Sequence, residues 1–192
     1  MKANAVILIL LTAFLTLAGA GIFIVRDHFT SQQLPVLATA AEFKLTDQDG
    51  NLFSSAVLNG KVWIGNFFFS SCEGVCPTVN GSIARLAERI KNSSQAQFVS
   101  ISVDPATDTV PVIKAYAAKF KADPERWHFL TGPEEQVSKI LVAFKLGSSD
   151  KPIEHTSRLV LVDGAGQVRG YYQGTDEDAF LMLERDLEKL SR

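Results

Sequence analysis

The sequence predicts an α/β domain with a mixed sheet, preceded by one transmembrane helix. Residues 3–25 contain no charged side chain. After residue 41, apolar runs of strand length alternate with segments in which apolar residues recur at helical spacing, and a short turn separates the last two strands. Alternation of this kind is typical of a sheet with helices packed against it, and the closing hairpin makes the sheet mixed rather than wholly parallel.

The uncharged N-terminal segment has the length of a membrane span. It lies between Lys2 and Arg26, and a helix of this length reaches roughly 34 Å, enough to cross the hydrocarbon core. The positive charge before the segment favours a cytoplasmic N terminus, which places the rest of the chain outside the cytoplasm. A cleaved signal peptide ending at Ala18-Gly19-Ala20 is the alternative, although signal peptides usually have an apolar core of only about 7–15 residues.

Composition divides the chain into three regions. Residues 1–26 form the predicted membrane anchor, and residues 27–41 form a linker that is first polar and then small and apolar. Residues 42–192 form one domain that is long enough for a proper core. The formal net charge is only −2 and no run of basic residues occurs, so nucleic-acid binding is not expected.

Seven strands are predicted from short apolar or alternating runs that are bounded by turn residues. The first two form a hairpin around Asp49-Gly50. The third follows a turn at Asn59-Gly60 and is apolar and rich in aromatic residues, which is typical of a strand buried on both faces. The last two form a hairpin around residues 163–166. The predicted strands cover residues 43–45, 52–53, 62–69, 98–103, 127–130, 158–162 and 168–172.

Four helices are predicted from apolar residues that recur every three or four positions. The first follows Pro77, and the third opens at Pro133, because proline is favoured at the first helical position. The last has Phe180, Leu183 and Leu187 facing the core. The predicted helices run from Pro77 to about residue 92 and over residues 112–120, 133–144 and 176–190.

The two cysteines of the chain lie between the central strand and the first helix, in the stretch Cys72-Glu73-Gly74-Val75-Cys76-Pro77. A helix N terminus favours thiolate over thiol, so this turn is suited to redox chemistry or to binding a soft metal. An inert disulfide is the structural alternative, but a bridge across so short a loop removes little unfolded-state entropy. A cysteine turn after a central strand, with a closing hairpin and helix, is the order of elements in a thioredoxin-like fold.

His155 precedes the strand at residues 158–162 and is a candidate third ligand. Two thiolates and one imidazole suit Cu(I), which accepts soft ligands at low coordination number. A structural zinc site would normally need a fourth protein ligand, although three ligands and a water molecule could hold zinc. His28, in the linker, and His128, in a short strand, are assigned no role.

Three segments resemble motifs of the Sco/SenC family. Residues 67–78 resemble its Cys-x-x-x-Cys-Pro signature, and residues 101–109 resemble its segment Ser-Val-Asp-Pro-x-x-Asp-Thr. The stretch Glu154-His155-Thr156-Ser157 is similar to its histidine segment. The three motifs occur in the family's order, and the similarity extends over essentially all of the chain from Phe43 onward.

The resemblance implies a thioredoxin-like fold, copper as the metal, and Cys72, Cys76 and His155 as its ligands. It implies that the two cysteines are also a redox pair, and that Asp104 lies beside the metal loop without binding the metal. The expected protein is a copper chaperone anchored in a bacterial-type inner membrane by a single span, with its soluble domain on the periplasmic side. Its expected partner is the copper-bearing subunit of cytochrome c oxidase, whose binuclear copper site it fills or prepares.

A thiol–disulfide oxidoreductase is the alternative function. Such an enzyme would reduce the cysteines of the oxidase subunit or of another copper carrier, and would itself be served by thiol reductases. His155 separates the two functions, because a dithiol reductase does not need it. A peroxiredoxin is disfavoured because Phe69 stands where that class needs a hydroxyl three residues before the reactive cysteine, and a thioredoxin has two residues between its cysteines, not three.

Overall fold

The centre of the fold is a parallel pair of strands in the computed structural model, which describes residues 34–92, 95–147 and 157–191. These strands are β4 (Trp63–Phe68) and β5 (Gln97–Ser102), and every residue in both is buried. A strand whose two faces are both covered by protein has no solvent face, so neither run alternates between apolar and charged residues. Residues 35–192 form one compact unit.

The described residues form one sheet that is mixed, as the sequence predicts, with eight strands rather than the predicted seven. The other strands are β1 (Ala38–Thr39), β2 (Lys44–Asp47), β3 (Leu52–Ser54), β6 (Trp127–Thr131), β7 (Arg158–Val162) and β8 (Gln167–Gln173). Their order across the sheet is β1-β8-β7-β4-β5-β6-β2-β3. Strands β4, β5 and β6 are parallel to one another, and the remaining neighbours are antiparallel.

Helices cover both faces of the sheet. Alternate residues of β4 point to opposite faces: Trp63 and Phe67 contact Phe144, with ring centroids 5.8 and 6.2 Å away, whereas Phe68 stacks on Tyr116 at 4.9 Å. The helix before Phe144 therefore lies on one face, and the helix that contains Tyr116 lies on the other. The helix of Asn80, which donates to Tyr116, and the helix of Glu184, which pairs with Arg89, lie on the side of Tyr116. The helices are α1 (Val75–Ile90), α2 (Val110–Lys119), α3 (Glu134–Ala143) and α4 (Glu177–Leu190), and a 3₁₀ helix covers Ser55–Leu58.

Each of the four helices begins one or two residues from its predicted start, and two of these differences involve a proline. Helix α1 begins at Val75, so Pro77 is its third residue rather than its first. The missing N–H of Pro77 is still harmless, because the first-turn amides of a helix have no intrahelical acceptor. Pro133 occupies the N-cap position of α3, and Glu134 is the first helical residue.

Strand β1 lies within the segment that composition assigns to the linker. Ala38 pairs with Val168, and the N–H of Ala40 donates to the carbonyl oxygen of Gly166 at 2.8 Å. Two residues cannot show a strand periodicity, so the sequence carries no signal for β1. The boundary between linker and domain after residue 41 stays a prediction.

The predicted membrane anchor, residues 1–26, lies outside the described residues, as do residues 27–33 of the predicted linker. In the ranges that the structure describes, no helix has both the length and the apolar character needed to cross a membrane.

His128 lies on β6 and is half-buried, with its ring 4.7 Å from the ring of Phe53. Burial lowers the pKa of His128 below its ordinary value of 6.5; the negative charges of Asp47 and Asp123 oppose this shift and the positive charge of Lys61 adds to it. Between the lowered pKa of the folded state and 6.5, the unfolded chain therefore binds a proton that the folded domain does not.

Acidification should consequently destabilise the domain in part through His128. We expect the free energy of unfolding to fall as the pH drops below 6.5, with a contribution from this residue of at most about 1.4 kcal/mol per pH unit. In the His128→Gln variant this contribution should vanish, which urea denaturation between pH 7 and pH 5 will measure. Identical pH dependence in the two proteins would show that His128 is not held neutral by the fold.

Candidate metal centre

The cysteine turn joins the carboxyl end of β4 to the N terminus of α1, as the sequence predicts, but only Cys72 lies in the turn and Cys76 is the second residue of α1. Six residues, 69–74, separate the strand from the helix. The N–H of Cys72 donates to the carbonyl oxygen of Phe69 at 3.2 Å, which tightens the turn. The N–H of Cys76 donates to the sulfur of Cys72 at 3.4 Å. The first turn of α1 therefore points a backbone donor at one of the two thiols.

The two thiols differ in acidity. Burial alone would raise the pKa of Cys72, but hydrogen bonds from the N–H and thiol of Cys76, and from the N–H groups of Gly74 and Val75, outweigh burial and lower it. Burial raises the pKa of Cys76 to about 12; donation of its proton to Cys72 and the negative charge on Cys72 add to this, against a backbone hydrogen bond with Phe69. Cys72 is thus the more acidic of the two thiols, and the thiol of Cys76 donates to it.

The cysteine with the lowered pKa is also the one that lines an open depression in the surface. Both cysteines are free thiols, with 9% of Cys72 and 6% of Cys76 exposed. An open depression of 570 Å³ lies over Cys72 and does not reach Cys76. A ligand or an attacking thiol therefore meets Cys72 first. The residues that line the depression are Phe69, Ser71, Cys72, Glu73, Gly74 and Val75. A larger groove of 760 Å³, between α1 and the segment 120–127, contains neither cysteine.

A buried carboxylate ties the cysteine turn to the end of β5. The side chain of Asp108 has no exposed surface, and its two oxygens accept the N–H of Ser70 at 3.1 and 3.2 Å. The same carboxylate accepts the hydroxyl protons of Ser70 and Ser102. Hydrogen bonds to a charged acceptor are stronger than neutral ones, so Asp108 holds Ser70, two residues before Cys72, in place.

Asp104, the acidic residue that the resemblance places beside the metal loop, makes its contacts within its own turn. It is half-buried, its N–H donates to the hydroxyl of Ser102 at 3.1 Å, and its carboxylate accepts the N–H of Thr107 at 3.4 Å. Its role at the site stays a prediction. Sequence reasoning missed Asp108, although it is the second aspartate of the same motif, because spacing does not reveal which of two nearby carboxylates is buried.

His155 lies outside the described residues, and so does His28. Within residues 34–92, 95–147 and 157–191, no three side chains of histidine, cysteine, aspartate or glutamate are grouped so that they could hold a metal ion. His128 packs against Phe53 on the face of the sheet that α3 covers, away from the cysteines. The structure thus brings Cys72 and Cys76 together and leaves the third predicted ligand untested.

Comparison with known proteins decides the family. Residues 31–189 match the SCO1/SenC family model. The chain belongs to the SCO1/SenC family. A family lipoprotein from Bacillus anthracis has a solved structure that is 32% identical, covering 82% of this chain and 98% of that one, with a TM-score of 0.73. The predicted thioredoxin-like α/β fold is therefore confirmed.

Two further SCO1/SenC structures bear on chemistry. BsSco, a member of the Sco family of cytochrome c oxidase assembly proteins in which a disulfide switch was identified, is 28% identical over 84% of this chain and 98% of its own, with a TM-score of 0.74. ScoI of Bradyrhizobium japonicum, solved with copper bound, is 26% identical over 77% of this chain and 99% of its own, with a TM-score of 0.60.

The difference in thiol acidity predicts selective alkylation. In the reduced, folded protein at pH 7, Cys72 should react with iodoacetamide at least about tenfold faster than Cys76, because the thiolate is the nucleophile. Limited alkylation followed by tandem mass spectrometry will locate the label. Unfolding in urea should abolish the difference, since the backbone donors are then lost. Equal labelling of the two cysteines in the folded protein would contradict this assignment of the thiolate.

The buried position of Asp108 predicts that it matters more for stability than Asp104 does. Asp108→Asn replaces a charged acceptor of hydrogen bonds from Ser70 and Ser102 with a neutral amide, and should lower the free energy of unfolding by about 1–3 kcal/mol. Asp104→Asn is the matched control; it keeps an oxygen for the N–H of Thr107 and should change stability by less than about 0.5 kcal/mol. Urea denaturation will measure both, and equal losses would refute the distinction.

Proposed function

We propose that this SCO1/SenC protein binds copper and serves the maturation of the binuclear copper site of cytochrome c oxidase. The observation that carries the proposal is the paired cysteines at the start of α1, where backbone donors stabilise one sulfur as thiolate. Copper is the cargo in this proposal, and soft thiolates are the ligands that Cu(I) prefers. Relatives with copper bound and with a role in oxidase assembly support it.

We propose His155 as the third ligand, together with Cys72 and Cys76. Its support is the position of Ser157, two residues further along the chain. The carbonyl oxygen of Ser157 accepts the N–H of Gly174 at 2.7 Å, and a Cβ added at Gly174 would lie 3.0 Å from a methyl carbon of Val79 in α1. Val79 follows Cys76 by three residues, so Ser157 lies close to the first turns of the helix that carries Cys76.

We propose that Asp108, rather than Asp104 alone, supports the metal loop. Asp108 contacts the backbone of Ser70 in the cysteine turn, and groups of this kind commonly orient the ligands of a metal. The resemblance also implies a supporting role for Asp104 beside the metal loop, and this is a second proposal. Asp104 lies in the same segment, and its backbone N–H donates to the hydroxyl of Ser102, which in turn donates to Asp108.

A copper titration of the domain from residue 35 will test the ligand set. We expect one copper ion per domain, and charge-transfer absorption between thiolate and Cu(II). Cys72→Ser or Cys76→Ser should abolish stable binding, and His155→Ala should weaken it at least about tenfold and change the Cu(II) spectrum, because a ligand is lost. His128→Ala is the matched control and should bind as the parent does. Unchanged affinity and spectrum in His155→Ala would exclude His155 as a ligand.

The oxidised protein is a second control for the titration. A disulfide between Cys72 and Cys76 has no thiolate to offer, so the fully oxidised domain should not take up Cu(I) in the absence of reductant. Stoichiometric uptake by the oxidised domain would show that copper binds elsewhere.

A thiol–disulfide oxidoreductase is the second candidate function, and the difference in thiol acidity favours it. The sulfur of lowered pKa, Cys72, attacks a disulfide and forms a mixed disulfide. Cys76 then loses its proton to the leaving thiolate and attacks Cys72, which releases the reduced substrate thiol and leaves Cys72 and Cys76 as a disulfide. His155→Ala separates the two functions. A variant that still reduces a disulfide peptide but no longer binds copper would show that the reductase activity is independent of the metal site.

We propose that residues 1–26 anchor the protein in a bacterial-type inner membrane, that residues 27–41 are largely linker, and that the domain lies on the periplasmic side. The length and lack of charge of residues 3–25 support this, and one relative is a lipoprotein. Tethering to the membrane of the oxidase would raise the effective concentration of the two partners, so a weak docking surface would suffice.

The anchor predicts where the intact chain will be found. The full-length protein should stay in the membrane fraction after a carbonate wash, and protease added to spheroplasts should digest the domain. Its intact mass should include residue 1. A mass that corresponds to cleavage after Ala20, or a domain found in the soluble fraction, would refute the anchor. A copy without residues 1–26, exported by another signal, is the control and should bind copper normally.

A further inference from the structure

A chain of five buried polar side chains runs beneath the cysteine turn. Trp127 Nε1 donates to Ser100 Oγ at 2.9 Å, and Ser100 Oγ donates to Asn66 Oδ1 at 2.6 Å. Asn66 Nδ2 then donates to Asn80 Oδ1 at 2.9 Å, and Asn80 Nδ2 donates to the hydroxyl oxygen of Tyr116 at 3.2 Å. All five side chains are at most 3% exposed. The chain crosses β6, β5, β4, α1 and α2.

The hydrogen bond between Asn66 and Asn80 links β4 to α1, the strand and helix on either side of the cysteine turn. Asn66 lies on β4, two residues before that strand ends. Asn80 lies on α1, four residues after Cys76, which places it one helical turn further along the same face. Both cysteines lie in the segment of chain that this hydrogen bond closes. The bond therefore constrains how β4 and α1 hold Cys72 relative to Cys76.

Hydrogen bonds constrain this arrangement more narrowly than apolar packing would. A buried amide that lacks a partner is costly, so the helix is disfavoured in any rotation that separates Asn66 from Asn80. All four bonds donate in the same direction, from Trp127 towards Tyr116, and each fixes the orientation of the next group. Tyr116 also stacks on Phe68, the last residue of β4, with ring centroids 4.9 Å apart.

We infer that Asn66 and Asn80, oriented by Ser100, Trp127 and Tyr116, are positioning residues for the cysteine pair and set its thiol–disulfide equilibrium. The inference rests on the proposed function only in taking Cys72 and Cys76 as a redox pair. The structure has both cysteines as free thiols, and the chain of hydrogen bonds is complete in that state. Removing a bond should therefore weaken the dithiol form more than the disulfide form.

The equilibrium can be measured by exchange with glutathione. Cys72 and Cys76 together give up two electrons and two protons to form one S–S bond, and one glutathione disulfide is reduced to two glutathione molecules. The full-length chain in detergent is equilibrated with glutathione buffers of known ratio, free thiols are trapped by alkylation, and the oxidised fraction is measured by mass spectrometry. This measurement contains no copper. Failure to bind copper would therefore contradict the proposed function without affecting the outcome of the glutathione measurement.

Asn80→Leu keeps a branched side chain and removes both hydrogen bonds of Asn80. We expect the equilibrium constant for disulfide formation to rise about fivefold, which corresponds to the net contribution of one hydrogen bond. Ser82→Ala is the matched control, because Ser82 is on the same helix, is 5% exposed and bonds to Arg85 rather than to the chain. The control should shift the equilibrium by less than about 1.5-fold, a change far below the contribution of one hydrogen bond.

A folded Asn80→Leu protein with the equilibrium constant of the parent would overturn the inference, and so would an equal shift in Ser82→Ala. Unfolding in urea will establish which variants are folded. Should Asn80→Leu fail to fold, Tyr116→Phe decides the matter, since it keeps the ring that stacks on Phe68 and removes only the last acceptor. Its expected shift is about twofold in the same direction, because one of the weaker bonds is lost. No shift in Tyr116→Phe would then refute the positioning role.

Discussion

The pairing of strand β4 on both of its edges is the constraint on which the rest of the site depends. Its neighbour β5 is parallel, so the two strands end at the same edge of the sheet, and the cysteine turn after Phe68 meets the segment after Ser102. Its other neighbour β7 is antiparallel, so β7 begins where β4 ends. Continuing the register of Gly65 with Val160 brings Arg158, near the start of the described part of this segment, to the same edge. One strand thus gathers three segments that are far apart in sequence.

The same thiol arrangement suits both candidate functions. A sulfur whose pKa is lowered by backbone donors is, once ionised, both a soft metal ligand and a nucleophile for exchange. What distinguishes the functions is not Cys72 but the groups around it: a third ligand would favour the metal, whereas a protonated Cys76 alone would favour exchange. Asp108 contributes to either, because its contact is with the backbone of the turn and not with a sulfur.

Elements that bury a periodic apolar surface could be predicted from the sequence, and polar contacts between elements could not. The aromatic run of β4 and the apolar stripe of α1 gave correct strands and helices, and the motif spacing placed the cysteines in the right turn. Strand β1 was missed because two residues show no period. The choice between Asp104 and Asp108, and the partnership of Asn66 with Asn80, depend on strand register and helix rotation. Asn66 does carry a sequence signal, since an amide inside a buried apolar strand needs a partner.

The edges of the sheet have a consequence for self-association. The outermost strands, β1 and β3, have two and three residues, and the sheet's longer strands lie inside it. An edge strand presents unpaired N–H and C=O groups that can recruit a strand from another molecule, and the length of that template sets the hazard. Here each edge strand is only about one hydrogen-bonded pair long, so neighbouring molecules have almost no exposed strand backbone with which to form intermolecular hydrogen bonds. The brevity of β1 and β3 thereby protects the domain against edge-to-edge aggregation.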